Sequence, residues 1–182
     1  TPLYSSAASD VYKRQAIIVN NNIYGMTGGQ SSPTTPLDAR SATAPYGHIE
    51  PPFPIVDLAM AAGASFVARG TVYHVTELDR LIEQAVVKNG FAVVEAVSYC
   101  HTTFGRANDM KSPIAMMQML KDRGVSQRAA EKLEGDEIED KIVRGVFRDA
   151  DLPEYTELYD QVIERAHGYT PPRKRKVRRG WI

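Results

Sequence analysis

The stretch TELDRLIEQAVVKNGFAVVEAVS, residues 76–98, changes its period at Gly90, and that change decides the fold class. Before the glycine, Leu78, Leu81, Ile82, Ala85 and Val86 recur at helical spacing, with Thr76 as the expected N-cap and Asp79 three residues on. After it, residues 91–98 form an apolar run interrupted by Glu95 and closed by Ser98, the signature of a strand buried on both faces of a parallel sheet. A helix feeding such a strand is half of a βαβ unit.

The same pattern extends towards the N-terminus. Residues 65–70, SFVARG, read as a second buried strand, and PIVDLAMAAG, residues 54–63, reads as a helix with proline in its first turn and glycine at its end. AIIVN, residues 16–20, is a third short β-branched run closed by a turn signal. Strand, helix, strand, helix, strand in that order predicts an α/β fold, a parallel sheet with flanking helices. Towards the C-terminus, residues 112–124 predict a helix with a serine cap, and 126–133 a short one. Residues 141–149 predict a short strand or arm, and 153–168 a closing amphipathic helix. Met116, Met117 and Met119 on the first of these helices read as core-filling groups rather than a binding surface. The expected organisation is a non-native leader over 1–15, an α/β domain over 16–110, a helical appendage over 111–168 and a basic tail over 169–182. The leader SSAASDVYKRQ resembles translated adapter sequence, so the chain reads as truncated ahead of residue 16.

Composition closes off several function classes. No apolar run approaches the ~20 residues of a membrane-spanning helix, and the first residues lack the apolar middle of a secretory signal, so a cytoplasmic setting is expected. The single cysteine, Cys100, excludes an internal disulfide and any multi-cysteine metal site within this chain alone. The formal charge is zero, yet the last 15 residues carry six of the 22 basic residues and no acid. Such a run suits a solvated tail, an acidic partner or nucleic acid.

Chemistry points to the loop after the first strand. Residues 20–54 have no periodic segment, and a loop of more than about 12–15 residues in a compact domain is functional or disordered. Ile23, Tyr24, Met26, Leu37, Tyr46, Ile49 and Phe53 argue against disorder. Its opening, NNNIYGMTGGQSSPTTP, leaves the carboxyl end of a parallel strand, where open α/β sheets bind ligands. An asparagine side chain is a hard neutral oxygen donor suited to Mg²⁺, and in an extended turn the Asn21 side chain and the Ile23 carbonyl can converge on one cation. Gly28 and Gly29 permit a nest of N–H groups for an anion, with Thr27, Gln30, Ser31 and Ser32 as further donors. A plain turn accounts for the same composition. No GxxxxGK[ST] and no GxGxxG element is present.

This loop, followed by TAPYG, AAGASFVAR, GFAVVEAVSYCHTTFGR and PEYTELYDQ, resembles the thiamine-diphosphate-binding β subunit of 2-oxoacid:ferredoxin oxidoreductases, the 2-oxoglutarate type most of all. The resemblance runs in ordered blocks from Ala16 to about Gly168. It implies CoA-linked oxidative decarboxylation of 2-oxoglutarate with thiamine diphosphate, electrons leaving through a [4Fe-4S] cluster to ferredoxin. It also implies an α subunit as partner. Pyruvate or a broad range of 2-oxoacids is the alternative within the family; a non-catalytic interaction or nucleic-acid-binding protein working through the basic tail is the alternative outside it. The resemblance assigns Asn21 as side-chain ligand and Ile23 as main-chain ligand of Mg²⁺, and sets Tyr24, Gly25, Met26 and Thr27 along the diphosphate and thiazolium. It makes Cys100 one cluster thiolate, conditional on three further cysteines. The Gly-Asp-Gly element that supplies the family's other Mg²⁺ ligand is missing from this chain. His48, His74, His101 and His167 form no constellation at ligand spacing. Glu95 is open between a catalytic carboxylate and a paired charge, and the sequence points to no catalytic base in this chain.

Overall fold

The computed structural model describes residues 13–110, 112–153 and 155–168. Five strands form one sheet: β1 (Lys13–Asn20), β2 (Phe66–Thr71), β3 (Gly90–Val97), β4 (Gly124–Ser126) and β5 (Ile142–Asp149), in the order β1-β3-β2-β5-β4. The β1–β3 and β2–β3 pairs are parallel, as the alternating strand and helix pattern predicts. Helix α1 (Ile55–Ala61) precedes β2, and α2 (Val75–Val87) joins β2 to β3.

Each central strand divides its side chains between two cores because neighbouring residues point to opposite faces. Phe66 and Ala68 of β2 and Ala92, Val94 and Ala96 of β3 pack with Leu78, Leu81 and Ala85 of α2. Val67 and Val93, one residue out of phase, pack with Val56 and Ala59 of α1. Both faces are therefore covered, and near-continuous apolar runs result.

Two expected caps are absent. Helix α2 starts at Val75, so Thr76 is not its N-cap; His74 takes that position and makes no side-chain cap. The His74 ring turns back instead, its Nδ1 2.8 Å from the Thr71 hydroxyl. Ser112 occupies the cap position of α4 (Pro113–Arg123) without a side-chain hydrogen bond, and proline opens the helix in its place. By contrast Ser126 caps α5 (Gln127–Ala130), accepting from the Ala129 N–H.

Beyond β3 lie α3 (Phe104–Ala107), α4, α5, α6 (Asp136–Glu139) and α7 (Tyr155–His167). The segment expected to be a helical appendage also carries two strands of the sheet. β5 lies antiparallel to β2 and parallel to β4, so the sheet is mixed. Its pairing with β2 shifts register between Val67 and Ala68. Met116 is buried with Ile23 and Phe104 in a third core under the loop, whereas Met117 is exposed. Lys13–Gln15, expected as the end of a leader, pair in register with Gly90–Ala92. The rest of that leader, 1–12, and the basic tail, 169–182, lie outside the described residues.

Candidate functional site

β1 ends at Asn20 and the chain turns at Asn22, whose φ of +56° lies in the left-handed region that asparagine tolerates better than other side chains. Two hydrogen bonds set this turn. The Asn20 Oδ1 accepts from the Asn22 N–H at 3.0 Å, and the Asn22 carbonyl accepts from the Thr35 hydroxyl at 2.7 Å. Thr35 is fully buried and also receives the Ser32 N–H at 2.9 Å.

The turn leaves two oxygens available on either side of it. The Asn21 side chain is half-buried, and neither it nor the Ile23 carbonyl is hydrogen-bonded to any described residue. Asn21, Ile23, Tyr24, Gly25, Met26 and Thr27 all line one cavity of about 650 Å³ at the carboxyl end of β1. The remaining wall includes Ser32 and Thr34 from the loop, with Ile18, Phe53, Leu58 and Phe91 making it largely apolar. This is the place where a parallel sheet presents its ligand crevice.

The glycine pair has a different role from the expected anion nest. Gly28 and Gly29 do take positive φ, at +116° and +88°, but their N–H groups are engaged by the Gly25 and Tyr24 carbonyls at 3.3 and 2.9 Å. They close a tight hairpin in which Tyr24 bridges Gln30. Thr27 and Gln30 are likewise occupied with each other, the Thr27 hydroxyl donating to Gln30 Oε1 at 2.6 Å and Gln30 Nε2 donating to the Thr27 carbonyl at 2.8 Å. Ser31 pairs with Ser41, and Ser32 with Thr34.

The order of the loop has another source than its apolar residues. Of the seven large apolar groups expected to hold it, only Ile23 is buried; Met26 and Tyr46 are fully exposed, and Tyr24, Leu37, Ile49 and Phe53 are largely so. Hydroxyl and backbone hydrogen bonds fix the loop instead. It is latched to the body by Asn108, which accepts the Arg40 N–H at 2.7 Å and donates to the Arg40 carbonyl at 3.0 Å. An Arg40–Asp109 ion pair lies beside that latch.

Cys100 does not line the cavity. It sits behind it, so close to Gly25 that a Cβ there would come within 2.8 Å of its Sγ. Burial pushes the thiol pKa up, but hydrogen bonds from Thr102 and Thr103 outweigh burial and bring it down to about 7. Their hydroxyls lie 3.1 and 3.0 Å from Sγ. A thiol near neutrality has the ionised form that metals and electrophiles require. Among the described residues no group of three or more histidines, cysteines and carboxylates could hold a metal.

The unforeseen residues are Asn20 and Asn108. Asn20 had a sequence signal, because a glutamate inside a buried strand demands a polar partner at the end of a neighbouring one. The Glu95 Oε1 accepts from Asn20 Nδ2 at 2.8 Å and its Oε2 from Arg69 Nε at 2.7 Å, so it is a paired buried charge.

Residues 5–96 match the family model described as the C-terminal TPP binding domain of thiamine pyrophosphate enzymes. Among curated proteins, 2-oxoglutarate synthase subunit KorB of Methanothermobacter marburgensis is 45% identical over 152 residues, covering 84% of this chain and 53% of the relative. The protein of the same name in Methanocaldococcus jannaschii is 44% identical over 149 residues, 82% of this chain and 55% of the relative. The chain thus spans about half the length of these relatives. The 2-oxoacid:ferredoxin oxidoreductase subunit beta of Saccharolobus solfataricus is 36% identical over 86 residues, 47% of this chain and 28% of the relative. A solved structure, 2-oxoglutarate:ferredoxin oxidoreductase from Magnetococcus marinus with 2-oxoglutarate, coenzyme A and succinyl-CoA bound, shares the fold. Its TM-score is 0.66 at 23% identity, covering 85% of this chain and 53% of that one.

Proposed function

Because this chain belongs to the thiamine pyrophosphate enzyme family through its C-terminal cofactor-binding domain, we propose that the cavity at the end of β1 binds the Mg²⁺-diphosphate end of thiamine diphosphate. We place it in a subunit of a 2-oxoglutarate:ferredoxin oxidoreductase. The observation that carries this reading is a pair of oxygens without a hydrogen-bond partner among the described residues, Asn21 side chain and Ile23 carbonyl, flanking the left-handed turn on the cavity wall.

The donor set fits the group. Mg²⁺ takes few protein oxygens and completes its shell with phosphate oxygens and water, so this chain would contribute one amide and one carbonyl beside the carboxylate that the resemblance places in the Gly-Asp-Gly element. When bound, thiamine diphosphate supplies the stabilisation of negative charge that decarboxylation of a 2-oxoacid requires. The protein's part is orientation and exclusion of water. Asn21 and Ile23 hold the cation, Tyr24 to Thr27 shape the wall beside it, and Ile18, Phe53, Leu58 and Phe91 give the cavity an apolar side. The Gly28 and Gly29 N–H groups take no part in holding phosphate.

The iron–sulfur assignment fits only in part. A cubane cluster takes four thiolates and this chain has one cysteine, so Cys100 supplies one ligand at most. Ferredoxin, coenzyme A and an α subunit belong to the same proposal, supported by the names of the relatives and of the solved structure. A cytoplasmic setting accompanies it, and among the described residues no helix is long and apolar enough to cross a membrane.

Calorimetric titration of the full-length protein with thiamine diphosphate and Mg²⁺ tests the reading. Saturable binding should fall at least tenfold in Asn21→Ala and should require the cation. Equal affinity in the variant, or binding that ignores Mg²⁺, overturns it.

A further inference from the structure

We propose that Glu95 is a positioning residue for the cofactor loop: through Asn20 it locks the left-handed turn at Asn22 that separates the two Mg²⁺-facing oxygens. The proposal rests on the reading above for its purpose, and on hydrogen bonds within the chain for its mechanism.

Glu95 lies on β3, the strand flanked by β1 and β2, and is 3% exposed. In register it faces Ile18 of β1 and Arg69 of β2, so Asn20 stands two residues further along β1, on the face that Ile18 shares. A buried carboxylate is tolerable only when its oxygens are paired, and here each oxygen has one donor from a different neighbouring strand. The guanidinium of Arg69 is itself held, lying 5.5 Å from the centre of the Phe147 ring with Nη1 3.5 Å from the Val143 carbonyl.

The consequence passes to the loop through the two ends of one amide. Asn20 must turn its Nδ2 to the carboxylate, which leaves Oδ1 facing the loop as an acceptor. That oxygen takes the Asn22 N–H at 3.0 Å and the Thr34 hydroxyl at 2.7 Å. A flipped amide would set its oxygen against the carboxylate and its N–H groups against the loop donors. The two acceptor oxygens of Glu95 therefore select the amide orientation, and the amide orientation selects the turn. No catalytic contact is required of Glu95.

The test is a double-substitution cycle in the full-length protein, read by thiamine diphosphate and Mg²⁺ affinity and by amide hydrogen exchange. Glu95→Gln leaves one acceptor oxygen for two donors, and Asn20→Asp sets two carboxylates against each other; each should weaken cofactor binding about tenfold and speed exchange of the Asn22 amide at least tenfold. In the double variant the introduced amide can donate to the introduced carboxylate while its own oxygen keeps Arg69. The second oxygen of that carboxylate keeps Asn22 and Thr34, so affinity and exchange should return to within about threefold of wild type. Additive losses in the double variant, or an Asn22 amide indifferent to Glu95→Gln, overturn the proposal. Asn20→Ala, which leaves Glu95 paired with Arg69, covers a failure of the Glu95 variant to fold: an unchanged Asn22 amide there also overturns it. Hydrogen exchange needs no ligand, so absence of cofactor binding in wild type would sink the functional reading while the relay is still decided.

Discussion

Cys100 and Gly25 meet behind the cavity wall, and the chemistry of each depends on the other. Burial raises the Cys100 pKa and the Thr102 and Thr103 hydrogen bonds lower it further than that, from an ordinary 9.0 to about 7. Because the folded value is the lower one, ionisation of Cys100 favours the folded state. That contribution is fully present above the unfolded pKa and is lost as pH falls through about 7. The stability difference between wild type and Cys100→Ser should therefore widen from pH 6 to pH 9, as thermal melts across that range would register. The alkylation rate should show a midpoint near 7, and Thr103→Val should move it upward. Gly25 has a steric reason to be glycine: its would-be Cβ falls 2.8 Å from the Cys100 Sγ and 3.4 Å from the Thr103 Oγ1. Gly25→Ala should cost about 1–3 kcal/mol in chemical denaturation, the range for overpacking. Adding Cys100→Ala should recover most of that loss, whereas no recovery would place the strain elsewhere in the loop. At this scale the sequence was legible where local pattern carried the information, as for the turn itself, which three asparagines after a strand announce and the left-handed Asn22 makes. Asn20, Glu95 and Arg69 were not legible as a unit, because Asn20 and Glu95 are 75 residues apart and only the strand register brings them together.

Among the elements, β5 has the least obvious place and the clearest structural cost. It adds antiparallel to β2, with Gly145 opposite Arg69 and Phe147 beneath the Arg69 guanidinium. Gly145 takes a φ of +129°, and a Cβ there would meet only Gln127 atoms at 3.7–3.8 Å. Space is available, so Gly145→Ala should cost about 1–3 kcal/mol through backbone strain alone. Faster amide exchange in β2 and β5, with α2 unaffected, would locate the loss at that pairing; uniform destabilisation would contradict it. The runs at β2 and β3 announced themselves because strands buried on both faces must be apolar throughout. Residues 141–149 also had strand character, but which neighbour a strand takes, and in which direction, follows from tertiary packing that a local pattern does not encode. The caps show the same limit. Thr76 and Ser112 have the right residue type, yet Thr71 recruits the His74 ring and Pro113 opens its helix with no N–H to satisfy.

At the scale of the whole molecule, the β1 edge of the sheet has no further strand beside it among the described residues. β1 pairs only with β3 among the described strands, and its outer residues Ile17 and Val19 are 46% and 62% exposed, with Ile18 at 36%. The loop above it adds Met26, Tyr46 and Ile49 to the apolar surface, and α7 adds Leu158, Tyr159, Val162 and Ile163 with no buried residue of its own. An unpaired strand edge beside exposed β-branched side chains is a template for pairing with another chain. The 182-residue chain expressed alone should therefore self-associate or need its proposed partner to stay in solution. Analytical ultracentrifugation across a concentration series would detect this, and Ile17→Lys with Val19→Lys should suppress it by placing charge along the edge. Leu158→Glu on α7 separates the two surfaces: if association persists in that variant and vanishes in the strand variant, the β1 edge drives it. A monodisperse wild-type monomer with one cooperative melt would show instead that the exposed apolar groups are too dispersed to nucleate contact.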